Sequence, residues 1–105
     1  MKKRLMVIAM FMAALGSGYS QTPSYQPKAG FVPNAETAVK VAEAVLIPVY
    51  GEKVLSERPF KATLEGDVWT VEGTLHCGAP RCNGGTAEVK ISKSTGQILH
   101  MIHYK

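Results

Sequence analysis

Apolar positions change period as the chain proceeds, first to a helical repeat and then to a two-residue alternation. Between Asn34 and Gly51, the residues Ala38, Val41, Ala42, Val45, Leu46 and Val49 recur at the three-and-four spacing of one buried helix face. Lys40 and Glu43 fall on the other side. Asn34 can cap the first turn, Glu36 sits near its positive end, Pro48 should bend or end the last turn, and Gly51 is placed to terminate it. From Phe60 the period becomes two. Phe60, Ala62 and Leu64 alternate with Lys61, Thr63 and Glu65, and Trp69, Val71, Gly73 and Leu75 alternate with Thr70, Glu72 and Thr74. A Gly66-Asp67 turn would pair Leu64 with Trp69, Ala62 with Val71 and Phe60 with Gly73, which keeps every apolar residue on one side.

A second hairpin follows. Ala87, Val89 and Ile91 make a dry face against Glu88, Lys90 and Ser92, and Lys93 to Gln97 suits a type I turn with Gly96 in the left-handed position. A three-residue loop there pairs Ile91 with Leu99 and Val89 with Met101, so that Leu99, Met101 and His103 face the helix. Ile98, His100, Ile102 and Tyr104 are then left on the outer face, an apolar strip the other strands do not share. Such strips mark contact surfaces or are ordinary surface, and here the preceding chain segment could also cover one. The expected core comprises Val41, Val45, Leu46, Trp69, Val71, Val89, Ile91, Leu99 and Met101. The fold class is α+β: one N-terminal helix packed on a curved antiparallel sheet of about four strands.

The first twenty residues follow a different rule. Lys2, Lys3 and Arg4 precede an apolar run from Leu5 to Leu15, and Gly18-Tyr19-Ser20 precedes Gln21, which reads as a secretion signal cleaved after Ser20. The run is too short to span a membrane, which takes about 20 residues. Residues 21–30, with Pro23 and Pro27 and no apolar period, read as a flexible leader or as a dressing for a sheet edge, and residues 31–105 as a single domain. Removing the signal changes the charge picture: of twelve basic residues three leave with it and all eight acids stay, so nine face eight and the net charge falls from +4 to +1. Neither a nucleic acid nor an anionic membrane is implied as partner.

Export also bears on the two cysteines. Cys77 and Cys82 enclose Gly-Ala-Pro-Arg at the tip between the hairpins, where an oxidising compartment favours a disulfide. Closing so short a loop contributes on the order of 2 kcal/mol in the chain-entropy model. The bridge either stiffens a loop that presents Arg81 and Asn83 to a partner or merely tidies a long connection. A zinc site is disfavoured, because His76 and Cys77 point to opposite faces of an extended chain, as do His100 and His103 by parity. No cofactor or metal is expected. Catalysis finds no support in a nucleophile elbow, a phosphate-binding glycine loop or a paired acid, so the chain reads as a non-enzyme.

The order GFVPNAETAVKVAEAVLIPVYGE, ERPF, VWTVEGTL, NGGTAEVKISKSTGQIL and HYK resembles the immunity proteins of bacterial toxin systems that carry a reduced nuclear transport factor 2-like fold. The resemblance covers Gly30 to Lys105. It implies a cystatin-like cone of antiparallel sheet wrapped on a helix, and neutralisation of a cognate toxin or effector by direct binding in the periplasm. No family residue roles carry over position by position. The candidate contacts are therefore the tip, with Arg81 and Asn83, and the strip of Ile98, His100, Ile102 and Tyr104. The KISKSTGQIL hairpin is also similar to PepSY-type modules, which implies a periplasmic peptidase as an alternative partner. A small-ligand cone under Trp69 is a third reading. An exposed last strand allows either a monomer or a homodimer.

Overall fold

The computed structural model describes residues 25–77 and 84–105. Helix α1, Ala35–Tyr50, starts where Asn34 turns extended (φ −143°, ψ 168°) and its Oδ1 accepts hydrogen bonds from the Thr37 amide and hydroxyl, each at 2.8 Å. A cap of this type is worth about 1 kcal/mol. The helix continues through Pro48 and stops at Gly51, whose φ of 84° suits glycine and whose N–H closes on the Ile47 carbonyl at 2.7 Å. A 3₁₀ segment, Glu52–Glu57, follows directly and buries Val54. Nothing in the period of EKVLSE announces it.

Four strands make one antiparallel meander in chain order: β1 Lys61–Glu65, β2 Val68–Glu72, β3 Ala87–Ser92 and β4 Ile98–His103. The first hairpin has the expected register, Leu64 opposite Trp69 and Ala62 opposite Val71. α1 lies against β1, β2 and β3. Between them sit Ala38, Ala42 and Leu46 from the helix, Val54 and Phe60 from the connection, and Trp69, Val71, Ala87, Val89 and Ile91 from the sheet. Val41, Val45 and Met101 pack on this core half-buried.

Two expected positions trade places in the second hairpin. Val89 does face Met101, but Ile91 pairs with Ile98 instead of Leu99, with a register shift between Lys90 and Ile91. The turn closes as a wider loop, with the Ser92 N–H on the Gln97 carbonyl at 2.9 Å and Gly96 at φ 78°. One extra residue must then be absorbed in the strand, and it is Leu99, 47% exposed. Leu99 is therefore not core, and Ile98 leaves the outer strip to pack against the core. Val49 is likewise outside, at 60% exposure. The buried row Ala38, Ala42, Leu46 advances by four and reaches Tyr50 in the last turn, which packs on the core in Val49's stead. Leu64 on the edge strand and Leu75 beyond β2 are also exposed.

The segment before the helix is part of the packed unit from about Pro27 onward. The Phe31 and Val32 amides donate to the Ser94 and Lys93 carbonyls at 3.2 and 3.0 Å, and Lys93 Nζ donates to the Ala29 carbonyl at 2.7 Å. Gly30 makes this possible: its φ is 87°, and a Cβ there would lie 2.4 Å from the Lys93 carbonyl oxygen. Val32 is buried, and its carbonyl accepts the Trp69 indole N–H at 2.8 Å. Asp67 completes the same end of the sheet. Its carboxylate takes the Ser94 hydroxyl at 2.6 Å and the Ser92 hydroxyl at 3.2 Å, tying the first turn to the second. The Ser94 hydrogen bond is the main reason its carboxyl is held below the ordinary range.

Candidate functional site

The opposite end of the sheet is built by the chain's crossing from β2 to β3. After β2, the Thr74 amide and hydroxyl donate to the carbonyls of Glu57 and Pro59 at 2.7 and 2.6 Å, and a His76 ring nitrogen lies 2.6 Å from the Arg58 carbonyl. Arg58 itself reaches back to the helix with a two-pronged pair to Glu43, both contacts 2.8 Å. That hydrogen-bonded pair holds the Glu43 carboxyl below and the Arg58 guanidinium above their ordinary values. Cys77 is exposed at the foot of the tip. Arg81, Cys82 and Asn83 lie outside the described residues, so the tip enters the description only through its two flanks.

Of the outer-face candidates, His100 and Tyr104 are exposed and Ile102 is half-buried. The sheet register brings Ile102 beside Glu88 and Glu88 beside Glu72. Tyr104 joins this row by donating its hydroxyl to Glu88 at 3.4 Å, and the Glu88 charge holds the phenol above its ordinary range. Gly85 permits the approach of the strand end, since a Cβ there would sit 2.6 Å from that of Tyr104. His100, Ile102 and Tyr104 thus share one face with a carboxylate row, and Ile98 does not belong to it.

The other face of β4 carries a feature that the linear pattern does not show. An open groove of about 470 Å³ runs between the 3₁₀ segment and the end of β4, lined by Tyr50, Lys53, Val54, Ser56, Glu57, His103 and Lys105. Glu57 is its organising residue. Oε1 accepts the Ala87 amide at 2.7 Å, and Oε2 lies 2.8 Å from His103 Nε2. The other ring nitrogen of His103 lies 2.8 Å from the Tyr104 carbonyl, and the ring leans on Tyr50 with centroids 5.4 Å apart. Both nitrogens of His103 are occupied by protein oxygens. The pair is therefore a strut between the 3₁₀ segment and β4. Gly73 belongs to it as well, because a Cβ there would fall 2.5 Å from Glu57 Oε1. Residues 57 and 103 are far apart in sequence, which is why no local motif signals them.

Among the described residues, no three His, Cys, Asp or Glu side chains are grouped so as to hold a metal ion, and no helix is long and apolar enough to cross a membrane. Among the described residues, one α-helix packed on an open four-stranded antiparallel sheet, with a groove at one end, makes an α+β fold of the nuclear transport factor 2-like class. Residues 37–105 match the family model of the NTF2 fold immunity proteins, and the chain belongs to that family. Comparison with curated proteins and with solved structures finds no match.

Proposed function

We propose that this is an exported immunity protein that binds a cognate toxin or effector in the periplasm and neutralises it by occlusion. Family membership across residues 37–105 is the observation that carries the reading. Export is supported by the basic, apolar and small-residue order of residues 1–20, and a Cys77–Cys82 disulfide fits an oxidising compartment. No catalytic step is assigned to the chain; inhibition needs only a surface that seats on the toxin. The candidate contacts are Arg81 and Asn83 on the tip and His100, Ile102 and Tyr104 on the outer face.

Genetic rescue tests the function and mutagenesis tests the surface. A protein captured from the envelope and secreted fractions of the parent bacterium should kill cells when directed to the periplasm, and coexpression of this chain should restore growth. Failure to rescue would remove the immunity reading, and capture of a housekeeping peptidase that this chain inhibits would put a peptidase regulator in its place. Arg81→Ala with Tyr104→Ala should weaken capture and leave the melting temperature nearly unchanged. Equal capture by that double variant would remove both surfaces while leaving immunity intact.

A further inference from the structure

The two edges of the sheet are not alike. β4 carries the register shift opposite Lys90 and Ile91, and a bulge of that kind guards an edge against further pairing. β1 has no such guard: every residue from Lys61 to Glu65 stands in unbroken register with β2. The neighbouring ladder fixes which of its backbone groups are free. The Gly73 N–H donates to the Ala87 carbonyl and the Lys93 N–H to the Asp67 carbonyl, so the odd-numbered residues of β2 bond to β3. The even-numbered ones, Val68, Thr70 and Glu72, then bond to Glu65, Thr63 and Lys61, which turns the N–H and C=O of Ala62 and Leu64 toward the open edge. Ala62 packs against the core, so Leu64 shares the inner face, and the exposed Lys61, Thr63 and Glu65 share the outer one.

We infer that β1 pairs antiparallel with β1 of a second copy of this chain, joining the two sheets into one across a two-fold axis at Thr63. The run Lys61-Ala62-Thr63-Leu64-Glu65 selects that occupant, because it complements its own reversal. Centred on Thr63, the pairing sets Lys61 against the partner's Glu65, Glu65 against the partner's Lys61, and Thr63 against the partner's Thr63. These are the positions without mutual hydrogen bonds, where Cα atoms stand about 4.5 Å apart and side chains meet most closely. Between them Ala62 lies opposite the partner's Leu64, and each such pair exchanges the backbone bonds that the edge leaves open. Leu64, 40% exposed in the single chain, gains the partner's Ala62 as its inner-face neighbour. A shift of two residues either way loses both Lys–Glu contacts. Exposed ion pairs add little affinity, so they set register and partner while the backbone bonds hold the strands together. The two-fold closes the assembly, and β4 with Tyr104 remains the outermost strand on both sides. The immunity reading is not needed for this step.

Charge reversal with mixing tests the pairing. Sedimentation velocity on the purified protein should show a monomer–dimer equilibrium, and the Ala62 and Leu64 amides should exchange with solvent more slowly at high protein concentration than at low. Lys61→Glu sets glutamate against glutamate at both outer positions, and Glu65→Lys sets lysine against lysine. Each variant alone should dimerise about tenfold more weakly than the unaltered chain, with the melting temperature of the dilute monomer unchanged. An equimolar mixture of the two variants restores opposite charges at both positions and should dimerise as well as the unaltered chain. A monomer at every concentration, a dimer indifferent to both reversals, or a mixture no better than its components would each overturn the inference. Protection of Ala62 and Leu64 that arises only when a toxin is added would likewise overturn it and assign the edge to the toxin. None of these results bears on whether the chain confers immunity.

Discussion

Replacing Trp69 with Phe isolates the contact that fastens the segment before the helix to the core. The indole N–H reaches the Val32 carbonyl at 2.8 Å in a buried setting, and Phe has no donor to replace it. A buried carbonyl left without a partner costs about 1–3 kcal/mol. The smaller ring also leaves unfilled volume beside Val32, worth a further ~1–2 kcal/mol. Together the loss should be about 2–5 kcal/mol, a large part of the roughly 5–15 kcal/mol available to a small domain. At about 4–8 °C per kcal/mol the melting temperature should fall by at least ~8 °C. Trp69 is the chain's single tryptophan, so urea unfolding is best followed by far-ultraviolet circular dichroism. The slope with urea should stay the same while the midpoint falls. The Phe31 and Val32 amides, which donate to Ser94 and Lys93, should exchange with solvent well before those of β3. A loss under about 1 kcal/mol with unchanged exchange at Phe31 would refute the reasoning, because the Val32 carbonyl would then have found another partner.

Two further predictions concern the ends of the sheet. Gly73→Ala should push Glu57 off its two partners and destabilise the fold by about 1–3 kcal/mol, with exchange of the Ala87 amide accelerated; retention of that amide's protection would show that Glu57 can move aside with its bonds intact. Glu43 and Asp67 both have lowered carboxyl pKa values, so each contributes stability that is present above the ordinary carboxylate range and is lost as pH falls through the folded-state value. The urea midpoint should therefore hold from about pH 7 to about pH 5 and decline below it, and Asp67→Asn or Glu43→Gln should flatten the decline; an undiminished slope in both variants would assign the acid sensitivity elsewhere.

What could be read from the residues divides along physical lines. The first hairpin was legible because turn chemistry at Gly66-Asp67 and the alternation on both flanks demand the same register. The helix was legible at both ends, where Asn34 and Gly51 carry the chemistry of a cap and a stop. Within it, the exact inward row was not, since a stripe advancing by four favours Tyr50 over Val49 only at its end. β4 resisted for a different reason. Ile98, Leu99, Met101 and Ile102 are apolar in both parities, so register there depends on the loop, and one added loop residue exchanges Ile98 with Leu99. The groove could not be found in sequence at all. Glu57 and His103 are ordinary in isolation, and only the 3₁₀ segment, which no periodicity marks, carries the carboxylate to the end of β4.

The fastening of Gly30 to Val32 onto Lys93 and Ser94 gives the molecule a back and a front. The incoming chain is held at the end where the two hairpin turns meet, whereas the foot of the Cys77 tip, Tyr104 and the groove all lie where β3 begins and β4 finishes. A chain anchored, labelled or fused through residues upstream of Tyr25 therefore stands with its turns toward the support and its receptive end toward solution. An immobilised bait prepared this way leaves Tyr104 and the groove unobstructed, and a fusion beside Lys105 crowds the groove directly.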